Sequence, residues 1–141
     1  MAFLDIDRFK EFNDSEGHAG GDEALRSVAD TLRRLVRLSD VVTRYGGDEF
    51  ALLLPETTAT EALGKLELIR VQTAVLRVPT PRNPGGRPVT VSIGVASWPQ
   101  DGAEPSDVAA CADSRLYEAK RGGRDRVVGP SSEGLATDER S

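Results

Sequence analysis

The chain has 141 residues, 38% hydrophobic and 29% charged, which excludes a collagen-like or wholly disordered protein and fits one globular domain. Its 18 Lys and Arg against 23 Asp and Glu leave a net charge of −5, so a basic groove for DNA or RNA is excluded as its main business. One cysteine, Cys111, rules out an intrachain disulfide and a cysteine-built zinc site, and suits a reducing compartment.

The longest apolar run, residues 50–54, falls far short of the ~20 that cross a bilayer. Charge at position 5 rules out a signal peptide. A cytoplasmic location is the expectation, and any membrane attachment would lie outside this chain.

Residues 2–6 are apolar and too short for a helix, which predicts a core strand. A domain that opens inside a strand reads as a piece of a longer protein. Phe9 and Phe12, three apart, suit one or two helical turns over 7–15, ended by Gly17-His18-Ala19-Gly20-Gly21. Leu25, Val28, Ala29, Leu32, Leu35 and Val36 recur at three- and four-residue steps and predict a long helix. Residues 41–45 and 50–54 are β-rich, and Gly46-Gly47-Asp48-Glu49 between them signals a hairpin. Thr60 is placed to cap a helix running to about 76, with Ala62, Leu66, Ile69 and Thr73 inward.

Four prolines and two glycines make 78–88 a loop or irregular hairpin. A strand follows over 89–96. Ser106 is placed to cap a last helix with Val108, Ala112, Leu116 and Ala119 inward, ending at Gly122-Gly123, before a short strand at 126–128. The domain is expected over 1–129, with 130–141 a disordered tail. The order β-α-α-β-β-α-β-α-β predicts an α+β sandwich: one mainly antiparallel five-stranded sheet flanked by helices.

The acidic residues gather at two places, Asp5 and Asp7 at the end of the first strand and Asp48 and Glu49 on the hairpin. If strand and hairpin are neighbours, their carboxylates converge and suit Mg²⁺, a hard ion that takes oxygen ligands. Acids at strand ends and turns are equally often just solvated. Lys10 follows the first strand by one turn, and Lys120 and Arg124 bracket the C-terminal end of the last helix, where cations also complement the helix dipole. Trp98, Cys111 and Tyr117 read as packing residues.

Arg44-Tyr45-Gly46-Gly47-Asp48-Glu49-Phe50 resembles the signature of the GGDEF domain family, the diguanylate cyclases. Leu4-Asp5-Ile6-Asp7-Arg8-Phe9-Lys10 with Asn13-Asp14 resembles the family's opening strand and turn. Gly17-His18-Ala19-Gly20-Gly21-Asp22 resembles its glycine-rich turn, and Val91-Ser92-Ile93-Gly94-Val95-Ala96 its late core strand. Ala112-Asp113, Leu116-Tyr117, Ala119-Lys120 and Gly123-Arg124 resemble its last helix and turn. These motifs cover about residues 2–129 in the family's order.

The resemblance implies a nucleotidyl-cyclase-like, ferredoxin-like core and an enzyme that condenses two GTP into cyclic di-GMP. It implies Mg²⁺, with Mn²⁺ as a substitute, held by the carboxylates of Asp5 and Asp48 and the backbone carbonyl of Ile6. Asp48 and Glu49 would be catalytic, Glu49 serving the 3′-hydroxyl. Asn13 and Asp22 would bond the guanine edge, a chemistry that suits an amide and a carboxylate. His18 would lie beside that pocket. Lys10, Lys120 and Arg124 would hold the triphosphate, and Gly46 and Gly47 would give it room.

One domain carries half the reacting atoms, so a homodimer is implied, with a regulatory domain outside this chain. Arg37 and Asp40 resemble the family's RxxD inhibitory site for product. Leu68 stands where many relatives with that site carry a supporting Arg. Members also carry a helix before the first strand, with an Asp-x-Leu-Thr-x-Leu-x-Asn-Arg stretch, and nothing precedes Met1 here. The alternative is a non-catalytic module that binds GTP or cyclic di-GMP and regulates a neighbour. Asp5, Asp48 and Glu49 together favour the enzyme, and Asn13 with Asp22 suits guanine over adenine.

Overall fold

A computed structural model describes residues 1–130; the expected tail falls, from 131 on, outside the described residues. The elements run β1 (Ala2–Ile6), α1 (Phe9–Leu35), β2 (Val41–Arg44), β3 (Glu49–Leu53), α2 (Ala59–Ala74), β4 (Val91–Val95), α3 (Pro105–Arg121) and β5 (Arg126–Val128). One sheet has the order β2-β3-β1-β4-β5. Its pairings are antiparallel except β4 with β5. This is the α+β sandwich that the element order predicts.

Alternation along the strands divides the two faces of the sheet. Ala2, Leu4 and Ile6 of β1 meet Phe50, Leu52, Val91, Ile93 and Val95 in one core with Val28, Leu32, Leu66 and Ile69 of α1 and α2. The opposite face carries Phe3, which packs with Ala96, Val108 and Ala112 as α3 crosses it. Burying each large aliphatic side chain stabilises the fold by roughly 1.5–3 kcal/mol. Among the described residues no helix is long and apolar enough to cross a membrane.

Several boundaries differ from expectation for local reasons. The expected break falls at Gly17, which leaves helical geometry (φ 79°, ψ 172°), a conformation glycine adopts without strain. Helix α1 is thus two helical segments meeting at a kink, the second beginning within the glycine-rich stretch rather than after it. Gly20 and Gly21 remain helical and serve close packing: a Cβ at Gly20 would strike Glu16, and one at Gly21 would strike the Asn13 amide.

Helix α2 is capped by Thr58, not Thr60, because Glu61 three residues on completes a capping box. Leu63 could not do this for Thr60. Helix α3 is capped by Glu104, not Ser106, because Pro105 suits the first helical position. Trp98 and Tyr117 are not packing residues: they are 67% and 61% exposed. Tyr117 follows the inward Leu116 and so turns outward, beneath the Arg121 guanidinium.

The segment between α2 and β4 is an irregular hairpin, closed by paired backbone bonds between Val78 and Arg87 at 2.9 and 2.8 Å. The carboxylate of Glu16 anchors it to α1. Bonds from Thr80, Asn83, Arg87 and Ser15 outweigh the cost of desolvation and lower the Glu16 pKa from 4.5 to about 2. A depressed carboxylate pKa contributes stability that is present above about pH 4.5 and lost as pH falls toward 2. Urea unfolding across that window should therefore show a steeper loss in the parent than in Glu16→Gln. Parallel curves would mean that these donors do not hold the charge.

Candidate active site

Asp5 lies near the end of β1, on the face that α3 covers, and is 6% exposed. Lys120, in the last turn of α3, forms an ion pair with Asp5 Oδ2. Oδ1 is buried and, among the described residues, has no hydrogen-bond partner. Burial and then the neighbouring Asp48 carboxyl group push the Asp5 pKa up to about 7, against the opposing pull of Lys120. Two carboxylates cannot bond one another without a shared proton, which is why Oδ1 lacks a donor. Burial lowers the Lys120 pKa, but the bond to Asp5 and the charges of Asp5, Glu49 and Asp48 outweigh it and leave it raised.

The signature turn is stitched to this strand end. Ile6 N–H donates to the Asp48 carbonyl at 3.2 Å, and Glu49 lies opposite Asp5 in the sheet register. Tyr45 N–H closes the turn on the Glu49 carbonyl at 2.8 Å. Arg44 braces the tip from within: Nε donates to the Gly46 and Gly47 carbonyls at 3.2 and 3.1 Å, and Nη2 to Gly47 at 2.6 Å. Among the described residues a Cβ at Gly47 would meet nothing within 4 Å, so a ligand can approach the backbone there.

An orphaned buried carboxylate oxygen beside a second carboxylate suits a hard cation. Among the described residues no three His, Cys, Asp or Glu side chains form a metal cage. A cation here would therefore complete its shell with backbone, water or substrate oxygens, as Mg²⁺ does. The residues present fit that ion.

The expected base-reading residues sit on the two sides of the Gly17 kink. Asn13 Nδ2 lies 3.4 Å from His18 Nδ1 across it. Asp22 opens onto a cleft of about 350 Å³ lined by Leu25, Ala29, Val42 and Phe50 and rimmed by Arg26 and Arg44. Lys10 is exposed on the first turn of α1. Arg124 stands just past α3 in a left-handed turn (φ 65°, with Asp125 at 47°). Arg70 of α2 holds that turn through Asp125 at 2.9 Å.

Asp7 is not part of the carboxylate cluster. Its oxygens accept from Thr90 Oγ1 at 2.7 Å, Ser92 Oγ at 2.6 Å and Asp125 N–H at 3.0 Å. It ties β1 to β4 and to the Arg124 turn. Arg37 and Asp40 do come together, away from the hairpin tip. Asp40 accepts from Arg37 N–H at 2.8 Å and Lys65 Nζ at 3.0 Å, and its side chain has no exposure. Arg37 Nη2 also reaches the Pro55 carbonyl at 2.7 Å and Thr57 at 2.6 Å, with 47% of the side chain exposed.

Sequence reasoning thus brings Asp5, Ile6, Asp48, Glu49 and Lys120 to one place. It misses Arg44, whose three-residue step to Gly47 was the available signal. It also misses Lys65, which only the packing of α2 brings to Asp40.

A family model described as diguanylate cyclase, GGDEF domain, matches residues 1–126. Diguanylate cyclase DgcM of Escherichia coli K12 is 44% identical over 130 residues, 91% of this chain and 30% of that protein. The GGDEF domain of DgcB from Caulobacter crescentus, solved in complex with c-di-GMP, superimposes with a TM-score of 0.82 at 38% identity, covering 91% of this chain and 75% of that one. The active GGEEF domain of a diguanylate cyclase from Vibrio cholerae gives 0.83 at 30% identity, covering 93% and 81%. The chain spans under a third of the length of the first curated relatives it matches. With its signature turn, its carboxylate pair and these matches, the chain belongs to the GGDEF domain family of diguanylate cyclases.

Proposed function

We propose that this domain, as one half of a homodimer, joins two GTP molecules into cyclic di-GMP and releases two pyrophosphates. The observation that carries this reading is the buried Asp5, with its unpartnered oxygen, between Asp48 and Lys120 at the signature turn. Asp5, Asp48 and the Ile6 carbonyl would hold Mg²⁺ or Mn²⁺, which supplies charge neutralisation at the phosphates.

The chain's own residues do the rest by positioning and electrostatics. Asn13 and Asp22 bond the guanine edge, with His18 beside Asn13 and the apolar cleft walls against the base. Lys10, Lys120 and Arg124 hold the triphosphate, and the open space at Gly47 admits it. Glu49 takes the 3′-hydroxyl proton as that oxygen bonds to the α-phosphorus of the nucleotide on the partner domain. The bond from that phosphorus to the pyrophosphate oxygen breaks, and two such steps close the ring.

The test is incubation with GTP and Mg²⁺ at high protein concentration, followed by chromatography. Cyclic di-GMP and pyrophosphate at one to two are expected. Saturable GTP binding with no product at any concentration would favour the non-catalytic module.

Product binding at Arg37 belongs to the same reading. Arg37 is half exposed and offers a fork of donors to phosphate or guanine acceptors, while the buried Asp40 holds it in place. Leu68, 47% exposed on α2, adds no charge there. Arg37→Ala should weaken cyclic di-GMP binding roughly tenfold or more, the scale of a lost bond to a charged group. The initial rate should stay within twofold or so, because Arg37 lies away from the reacting carboxylates. Calorimetry showing equal affinity in both proteins would reduce this pair to a surface brace.

A further inference from the structure

Helix α1 carries its two expected base-reading residues on the two sides of the kink at Gly17. Asn13 precedes Gly17 and Asp22 follows it, and Gly17 is outside helical geometry. A polar cluster outside the active site lies at that point. Glu16, with 2% of its side chain exposed, accepts from Asn83 Nδ2 at 2.7 and 3.0 Å, Arg87 Nη1 at 3.0 Å, Ser15 Oγ at 3.0 Å and Thr80 Oγ1.

The same hairpin grips the backbone before the kink, where Arg82 donates to the Ser15 carbonyl at 2.6 Å, and Arg87 lies over the Phe12 ring. It also touches the segment after the kink, because Thr80 and Glu16 both pack against Gly20. Residues 78–87 therefore bridge the two halves of α1, with the Glu16 carboxylate at the centre of the bridge. An acceptor of several donors is required there. A glutamine would turn an NH₂ group toward Thr80, Asn83 or Arg87 and leave a donor without an acceptor.

We propose that Glu16 is a positioning residue for base recognition: clamped to the 78–87 hairpin, it sets the kink at Gly17 and so the placement of Asp22 relative to Asn13. This inference rests on the reading that Asn13 and Asp22 bond the guanine edge. Hydrogen bonds to a base need donor–acceptor distances within a few tenths of an ångström of about 2.9 Å, so a small change of kink degrades them selectively. Contacts to the triphosphate from Lys120 and Arg124, at the end of α3 and just past it, are untouched, and Lys10 lies before the kink.

The experiment is calorimetric binding of the non-reactive α,β-methylene analogues of GTP and of inosine triphosphate, which lacks the exocyclic amine. The parent, Glu16→Gln, Asn83→Ala and Asp22→Ala are compared in one Mg²⁺ buffer, with circular dichroism to confirm folding. Asn83→Ala leaves α1 untouched and carries the test should Glu16→Gln fail to fold. The guanosine-over-inosine ratio, a quantity that a merely less stable protein would not change, should fall about threefold or more in Glu16→Gln and Asn83→Ala. It should fall furthest in Asp22→Ala. An unchanged ratio in Glu16→Gln and Asn83→Ala, or equal losses for the two nucleotides, overturns the role of Glu16 alone if Asp22→Ala lowers the ratio. An unchanged ratio in Asp22→Ala overturns the guanine reading and this inference with it.

Discussion

Asp48→Asn and Glu49→Gln should each stop cyclic di-GMP synthesis while leaving the fold intact, in any preparation of this protein that turns over GTP. The expected loss is roughly a hundredfold to a thousandfold or more, the scale for removing a charge-stabilising group from a reacting site. The fold should survive because the turn is held by main chain: Ile6 N–H bonds the Asp48 carbonyl, and Tyr45 N–H bonds the Glu49 carbonyl. Arg44 grips the Gly46 and Gly47 carbonyls in the same way.

Asp48→Asn has a second consequence. Asp48 is among the groups that raise the Asp5 pKa above its ordinary value, after burial itself. A carboxylate raised on folding binds its proton more tightly in the folded state, so stability falls as pH rises from about 3.8 toward 7. Removing Asp48 eases that penalty, and the variant should melt no lower than the parent at neutral pH. Chromatography of the nucleotides and a thermal melt check both statements. Turnover within tenfold of the parent in both variants would sink the catalytic assignment.

The largest expected effect on stability lies away from any functional side chain, at Gly94 in the middle of β4. A Cβ added there would run into the backbone of Ala112, Arg115 and Leu116 of α3. Main chain cannot rotate aside as a side chain can. Gly94→Ala should therefore push α3 off the sheet and cost about 3 kcal/mol or more, at the upper end of overpacking. The melting temperature should fall by roughly 10 °C. Lys120 sits on the last turn of that helix, so its pairing with Asp5 should suffer too. A melt within 2 °C or so of the parent would mean that the helix can slide without loss.

Much of this molecule is legible in the chain. The strand at residues 2–6 follows from an apolar run too short for a helix. The hairpin follows from a glycine pair between β-rich segments, and the inward faces of α2 and α3 follow from their period. These features are local, set by backbone geometry and by the alternation of apolar and polar residues over a few positions. The signature residues are legible for a related reason. A turn that must leave room for a ligand and carry two acids concentrates its requirements in adjacent positions.

What the chain does not determine by itself is the fate of charged side chains whose partners lie far along it. Asp5 and Asp7 are two residues apart and equivalent on paper. Asp5 is left buried with an unpartnered oxygen because α3 brings only Lys120 to it, whereas Asp7 is filled by Thr90, Ser92 and Asp125. Asp40 is one member of a short Arg-x-x-Asp motif, yet α2 supplies Lys65 and the side chain is closed off. Glu16 stands beside a glycine with nothing in its sequence neighbours to mark it, and the 78–87 hairpin makes it the buried centre of a clamp. Each outcome depends on which donors arrive from 25 to more than 100 residues away. A carboxylate's burial, pKa and role follow from those donors rather than from its neighbours in sequence, and only the packed sheet and helices decide who they are.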